Sequence, residues 1–118
     1  MIINLTQHVA TEDQSIAGVK EPSDKRTVQA LLTFHSLPET ETMELAANSL
    51  VSIALRSGMK YAMIGGAPFF MSTLETALKA AGIIPLYAFS EREVLSEVDS
   101  DGKVVKTNIF VHKGFVRV

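Results

Sequence analysis

A chain of 118 residues, 47% of them apolar, is one domain with enough hydrophobic mass to bury a core, which excludes disorder over most of its length. The absence of cysteine excludes disulfides, zinc–thiolate sites and thiol catalysis together. A net charge of −2 gives no global attraction to a polynucleotide, so no DNA partner is expected.

Residues 1–5 form a short apolar run, and a strand that opens the chain is expected to be central, because its neighbours must come later. The opening Met-Ile-Ile-Asn-Leu-Thr has no basic leader and no segment is long and apolar enough to span a bilayer, so a cytoplasmic protein without a membrane partner is expected. Thr6, Gln7 and His8 leave the carboxyl end of this strand. Thr11 is placed to cap a short helix, with Glu12 and Asp13 in its first turn and Gln14 at the capping-box position. It ends before Gly18, and Val19 opens a minimal second strand. Ser23 reads as the N-cap of a helix carrying Val28, Leu31 and Leu32, terminated at Leu37-Pro38.

Glu39-Thr40-Glu41-Thr42 opens a stronger helix, its acids near the positive end of the dipole, and Gly58 stops it. Met43, Ala46, Ala47, Leu50, Val51, Ile53 and Ala54 make a wide apolar stripe suited to packing on a sheet. Residues 61–90 then read as strand, helix, strand. A short apolar run ends in Gly65-Gly66, Pro68 stands in the first turn of a helix from 67 to 81, and Gly82 closes it. Phe70, Leu74, Ala77, Leu78 and Ala81 share one face of that helix. Residues 83–89 are apolar without alternation, which suits a parallel strand covered on both faces. Beyond Ser90 the period becomes that of a pleat: strand-like residues 94–98, a turn at 99–102, and residues 104–111 with Val105, Thr107, Ile109 and Val111 on one side. The expectation is an α/β fold, three-layer and Rossmann-like, with a mainly parallel sheet and a C-terminal antiparallel hairpin.

Such a topology puts Gly65, Gly66 and Ser90 on one carboxyl edge, and a central first strand brings Thr6 and His8 to the same edge. The Gly65-Gly66 turn lacks the Lys-Ser/Thr of a P-loop and the third glycine of a dinucleotide fingerprint. Its amides at a helix N-terminus can hold a phosphate, or the glycines serve only a tight turn. Arg92, just after the last parallel strand, can fork onto a phosphate or pair with Glu91 or Glu93. His8 can act as a general acid or contact phosphate, or cap the next turn. The three histidines have no metal-ligand spacing, so neither metal nor cofactor is expected. Residues 103–118 carry Lys103, Lys106, Lys113 and Arg117 and no acid, either a positive edge for a small anion or lysines guarding an exposed strand.

The chain resembles the small single-domain CRISPR-associated proteins related to Rossmann-like cyclic-oligoadenylate sensors, the CARF-type ring nucleases. The likeness lies in His8-x-x-Thr11-x-x-Gln14, in Gly65-Gly66, and in the tail: Gly82-Ile-Ile-Pro85-Leu-Tyr87-x-x-Ser90-x-Arg92-Glu93-Val94, Asp101-Gly102-x-Val104-x-Lys106 and Phe110-x-His112-x-x-Phe115. The resemblance implies a homodimer with cyclic oligoadenylate across two carboxyl sheet edges, cleaved without metal by attack of a ribose 2′-hydroxyl on its phosphate. It implies catalytic or phosphate-contacting roles for His8 and Arg92, and ligand binding by Thr6, Gly65, Gly66 and Ser90. One departure is that Gly66 is followed by the apolar Ala67-Pro68-Phe69-Phe70, which offers few side-chain donors. A sensor that binds without cleaving, and a small interaction protein with no ligand, are the alternatives.

Overall fold

A computed structural model describes residues 1–118, and its sheet grows outward from the first strand. The elements run β1 (Ile2–Leu5), α1 (Glu12–Ile16), β2 (Val19–Lys20), α2 (Lys25–Leu31), α3 (Thr40–Ser57), β3 (Tyr61–Ile64), α4 (Pro68–Ala80), β4 (Ile84–Val98) and β5 (Val104–Arg117). The five-stranded sheet has the order β2-β1-β3-β4-β5, parallel except for the antiparallel β4–β5 pair. β1 is therefore interior, and β3 and β4 are parallel neighbours joined by α4. No helix is long and apolar enough to cross a membrane.

In-register parallel pairing puts Ile3, Leu5, Ala62 and Ile64 on one sheet face, and helices α2, α3 and α4 cover it. Val28 and Leu32, the α3 stripe of Ala47, Leu50, Val51 and Ala54, and the α4 stripe of Phe70, Met71, Leu74 and Leu78 make one continuous core with that face. Gly58 ends α3 in the left-handed region at φ 74°. The opposite face carries Ile2, Val19, Met63 and Leu86 as a smaller cluster, and α1 lies beside β2 without burying any residue.

Several boundaries depart from the sequence expectation. The N-cap of α2 is Asp24, whose carboxylate accepts from the Thr27 amide at 3.1 Å and its hydroxyl at 2.6 Å; Ser23, one residue earlier, has the same chemistry but not the place. α2 ends at Leu31, six residues short of Leu37, because Phe34 turns back to set its ring against Phe69 and Phe70 at 5.5 and 5.1 Å. The largest correction concerns β4. It does not stop at Phe89 but continues to Val98, so Ser90-Glu91-Arg92-Glu93 lies inside a strand paired with β5 and is not a loop. Only Ile84, Pro85 and Leu86 pair with β3, and Phe89 is 49% exposed, so residues 83–89 are not covered throughout. From Phe89 outward the β4–β5 ribbon stands clear of the helices as an arm. It stretches the molecule to 58 Å along its long axis against 33 and 25 Å across.

Candidate functional site

The crossover from β1 to β2 runs to one side of β1, and the chain then passes back to lay β3 on the other, so the winding reverses between β1 and β3. At such a point the loops leaving adjacent strands diverge and leave a crevice at the carboxyl edge. A cleft of about 520 Å³ opens there, in the size range of small-ligand sites. Thr6, Gln7, His8 and Val9 line it from β1, Thr11 and Gln14 from the start of α1, Ile64, Gly65 and Gly66 from the end of β3, and Tyr87 and Ala88 from β4, with Met63 in the floor.

The loop after β1 is held by one buried polar residue. Asn4 is fully buried; its amide nitrogen donates to the His8 carbonyl at 2.8 Å and to the Glu21 carboxylate at 3.0 Å, and its oxygen accepts from the Thr6 amide at 3.0 Å and hydroxyl at 2.6 Å. Glu21 in turn accepts from the Ala10 amide at 2.8 Å and pairs with Lys25 at 3.3 Å, while Lys25 donates to the Thr6 carbonyl at 2.6 Å. Farther out, the Gln7 amide donates to the Thr33 hydroxyl, and Gln29 donates to the Gln7 carbonyl. Five backbone groups of residues 6–10 are thus tied, and the His8 imidazole is presented to the cleft with no hydrogen bond inside the protein. Thr6 contributes its geometry more than its proton, because its hydroxyl is already committed to Asn4.

Tyr87 closes another wall. Its hydroxyl donates to Glu75 of α4 at 2.6 Å, and burial together with that carboxylate raises the phenol above its ordinary range, so it stays protonated at any physiological pH. The Thr11–Gln14 capping box is present in full, Gln14 accepting from the Thr11 amide at 3.0 Å and Thr11 from the Gln14 amide at 3.2 Å. It fixes two polar side chains at the rim.

Of the residues singled out in the sequence, Thr6, His8, Gly65 and Gly66 come together in the cleft. Ser90 and Arg92 do not line it; they stand on the arm, opposite His112 and Phe110. Gln7, Val9, Met63, Tyr87 and Ala88 join Thr6, His8, Gly65 and Gly66 in the lining without being expected there, and so do Thr11 and Gln14, which the sequence marks as a capping box and as part of the His8-x-x-Thr11-x-x-Gln14 motif. The lining holds no Lys, Arg, Asp or Glu. A neutral cleft with amide, hydroxyl and imidazole groups over an apolar floor suits a ligand with a flat heterocycle and several hydroxyls better than a bare multivalent anion.

Glu21 gives the site a pH dependence. Burial pushes its carboxyl up, but the Ala10 amide, the Asn4 amide and Lys25 outweigh it and hold the group below its ordinary 4.5. A carboxyl depressed in the folded state contributes stability above its unfolded value and loses it as pH falls through the folded one. Acidification below about 4.5 should therefore lower the protection of the Ala10 amide relative to its intrinsic exchange rate at each pH, measured by NMR, and Glu21→Gln should flatten that dependence. Asp24, depressed by hydrogen bonds from the Thr27 hydroxyl and amide, adds to the same acid limb at α2.

The family model described as the uncharacterized protein MJ1673 family matches residues 1–116, and the chain belongs to that family. No curated protein and no solved structure matches it.

Proposed function

We propose that this member of the MJ1673 family is a three-layer Rossmann-like domain that binds a small nucleotide in the cleft between β1 and β3. The observation that carries the reading is the coincidence of a 520 Å³ cleft with the point where the sheet's winding reverses, at the carboxyl edge. α1, with Thr11 and Gln14 at the rim, serves as the thin outer layer. The resemblance to the CARF-type proteins makes cyclic oligoadenylate the first ligand to try, one nucleotide of the ring per cleft. Base and ribose would lie over Met63 and Ala88, with His8 at the phosphate.

Of the two versions, sensing and cleaving, the placement of Arg92 favours sensing. A ring nuclease needs donors around the developing charge, and one protomer offers His8 there without an arginine. Cleavage would require a cation brought from outside the protomer.

Calorimetry with cyclic tetra-adenylate, AMP and adenosine tests the reading. Binding should raise the melting temperature, by the equivalent of about 2.7 kcal/mol at a hundred times Kd. His8→Ala should weaken binding about tenfold or more through loss of a charge-assisted hydrogen bond, with intact ligand recovered throughout. No binding by any of the three would sink the proposal, and linear product would move it to the cleaving version.

A further inference from the structure

β2 is the outer strand on its side of the sheet and only two residues long, so it leaves the helix-covered face open at that edge. A second cavity of about 490 Å³ lies there, where β2 leads into α2 and α3 leads into β3. It shares no lining residue with the cleft and is close to it in size. Ile3, only 1% exposed, and the half-buried Ile53 and Met59 give it an apolar wall.

Three charged side chains border the cavity: Glu21, Asp24 and Arg56. Glu21 is neutralised by Lys25 at 3.3 Å, and its oxygens are engaged by Asn4 and by the Ala10 amide. Asp24, at the start of α2, and Arg56, in the last turn of α3, are both exposed, and neither forms an ion pair in its own chain. Asp24 accepts one bond at each oxygen, from the Thr27 amide and hydroxyl, which leaves each oxygen a free lone pair. One unpaired acid and one unpaired base thus stand at the mouth of a cavity with an apolar wall. A nucleotide or other polyanion meets two carboxylates there, and a diamine meets Arg56. A divalent cation finds no group of three acids or imidazoles to hold it. A molecule with one ammonium and one carboxylate side by side, and a hydrocarbon body below them, matches every one of these groups.

We infer that this cavity binds a free α-amino acid with an aliphatic side chain, its ammonium on Asp24, its carboxylate on the Arg56 fork and its side chain against Ile3, Ile53 and Met59. Both charged groups of such a molecule sit on one carbon, so they stay together at the exposed rim while the side chain turns inward. Arg56 suits the carboxylate because its planar fork accepts both oxygens at once. The inference stands independently of what the cleft binds, since no residue is common to the two linings.

Titration of the full chain with L-leucine, followed by amide NMR, tests it. Leucine should shift the amides of residues 21–27 and 53–59 saturably, with a Kd below about 1 mM. Leucinamide, which lacks the carboxylate, isocaproate, which lacks the ammonium, and glycine, which lacks the side chain, should each bind about tenfold more weakly or worse. Asp24→Asn keeps a good helix cap and should remove the preference for leucine over isocaproate. Arg56→Gln, at an exposed position, should remove the preference over leucinamide. No saturable shift up to about 10 mM leucine, shifts confined to the cleft, analogues that bind as tightly as leucine, or variants that keep the parent's preferences would each overturn it.

Discussion

Asn4→Ala should cost about 2–4 kcal/mol and lower the melting temperature by roughly 8–16 °C, with cleft binding lost along with it. The side chain is fully buried and satisfies four other groups: the Thr6 amide and hydroxyl, the His8 carbonyl and the Glu21 carboxylate. Each of these, left alone in a low-dielectric site, costs more than the bond it formed was worth. Asn4→Asp is the sharper variant, since it keeps the shape and sets a second carboxylate against Glu21. Its protonated form alone is compatible with that neighbour, so its folded pKa must rise, and its destabilisation should be worst at neutral pH and ease on acidification. The parent should show the opposite trend through Glu21. Thermal melts of the three proteins from neutral to acid pH decide it. An Asn4→Asp profile parallel to the parent's would mean that Asn4 only fills space.

How much of this was legible in the sequence depends on whether one residue or a distant partner sets the feature. The capping box at Thr11 and Gln14, the stop at Gly58 and the stripes of α3 and α4 are local, and each formed where its residue types placed it. The interior position of β1 followed from its place in the chain. The continuation of β4 was not legible: Ser90-Glu91-Arg92-Glu93 shows no alternation, because both faces of the ribbon meet solvent and neither selects for apolar residues. Ser90 and Arg92 therefore lie on the arm, beyond the sheet edge where a strand ending at Phe89 would leave them. Asn4 did leave a signal. A lone amide inside an apolar strand must be exposed or fully bonded, and in an interior strand only the second is open. Tyr87 left the same kind of mark inside the run of residues 83–89, a hydroxyl that burial obliges to find Glu75.

Gly66→Ala should lower stability by about 1–3 kcal/mol and abolish cleft binding, whereas Gly65→Ala should leave stability nearly unchanged. The two glycines are adjacent but differ in what they are required for. Gly66 sits at φ 150°, a region that side chains rarely adopt, and an added Cβ would come to 3.5 Å from Met71 Cε and 3.9 Å from Leu32 Cδ2. There is room for the atom but not for the backbone angle, so the turn must rotate and carry with it the peptide that lines the cleft. Gly65 has no such angle, and its Cβ would make an ordinary contact at 3.6 Å with Thr6 Cγ2, inside the cleft. Gly65→Ala therefore changes the shape of the wall alone, and larger substitutions there should weaken binding stepwise with side-chain volume while the melting temperature holds. Paired melts and ligand titrations of both series separate the turn from the space it leaves. If Gly66→Ala melts and binds like the parent, the reversal of winding between β1 and β3 is only a feature of the fold, and the cleft there is not what the glycines are for.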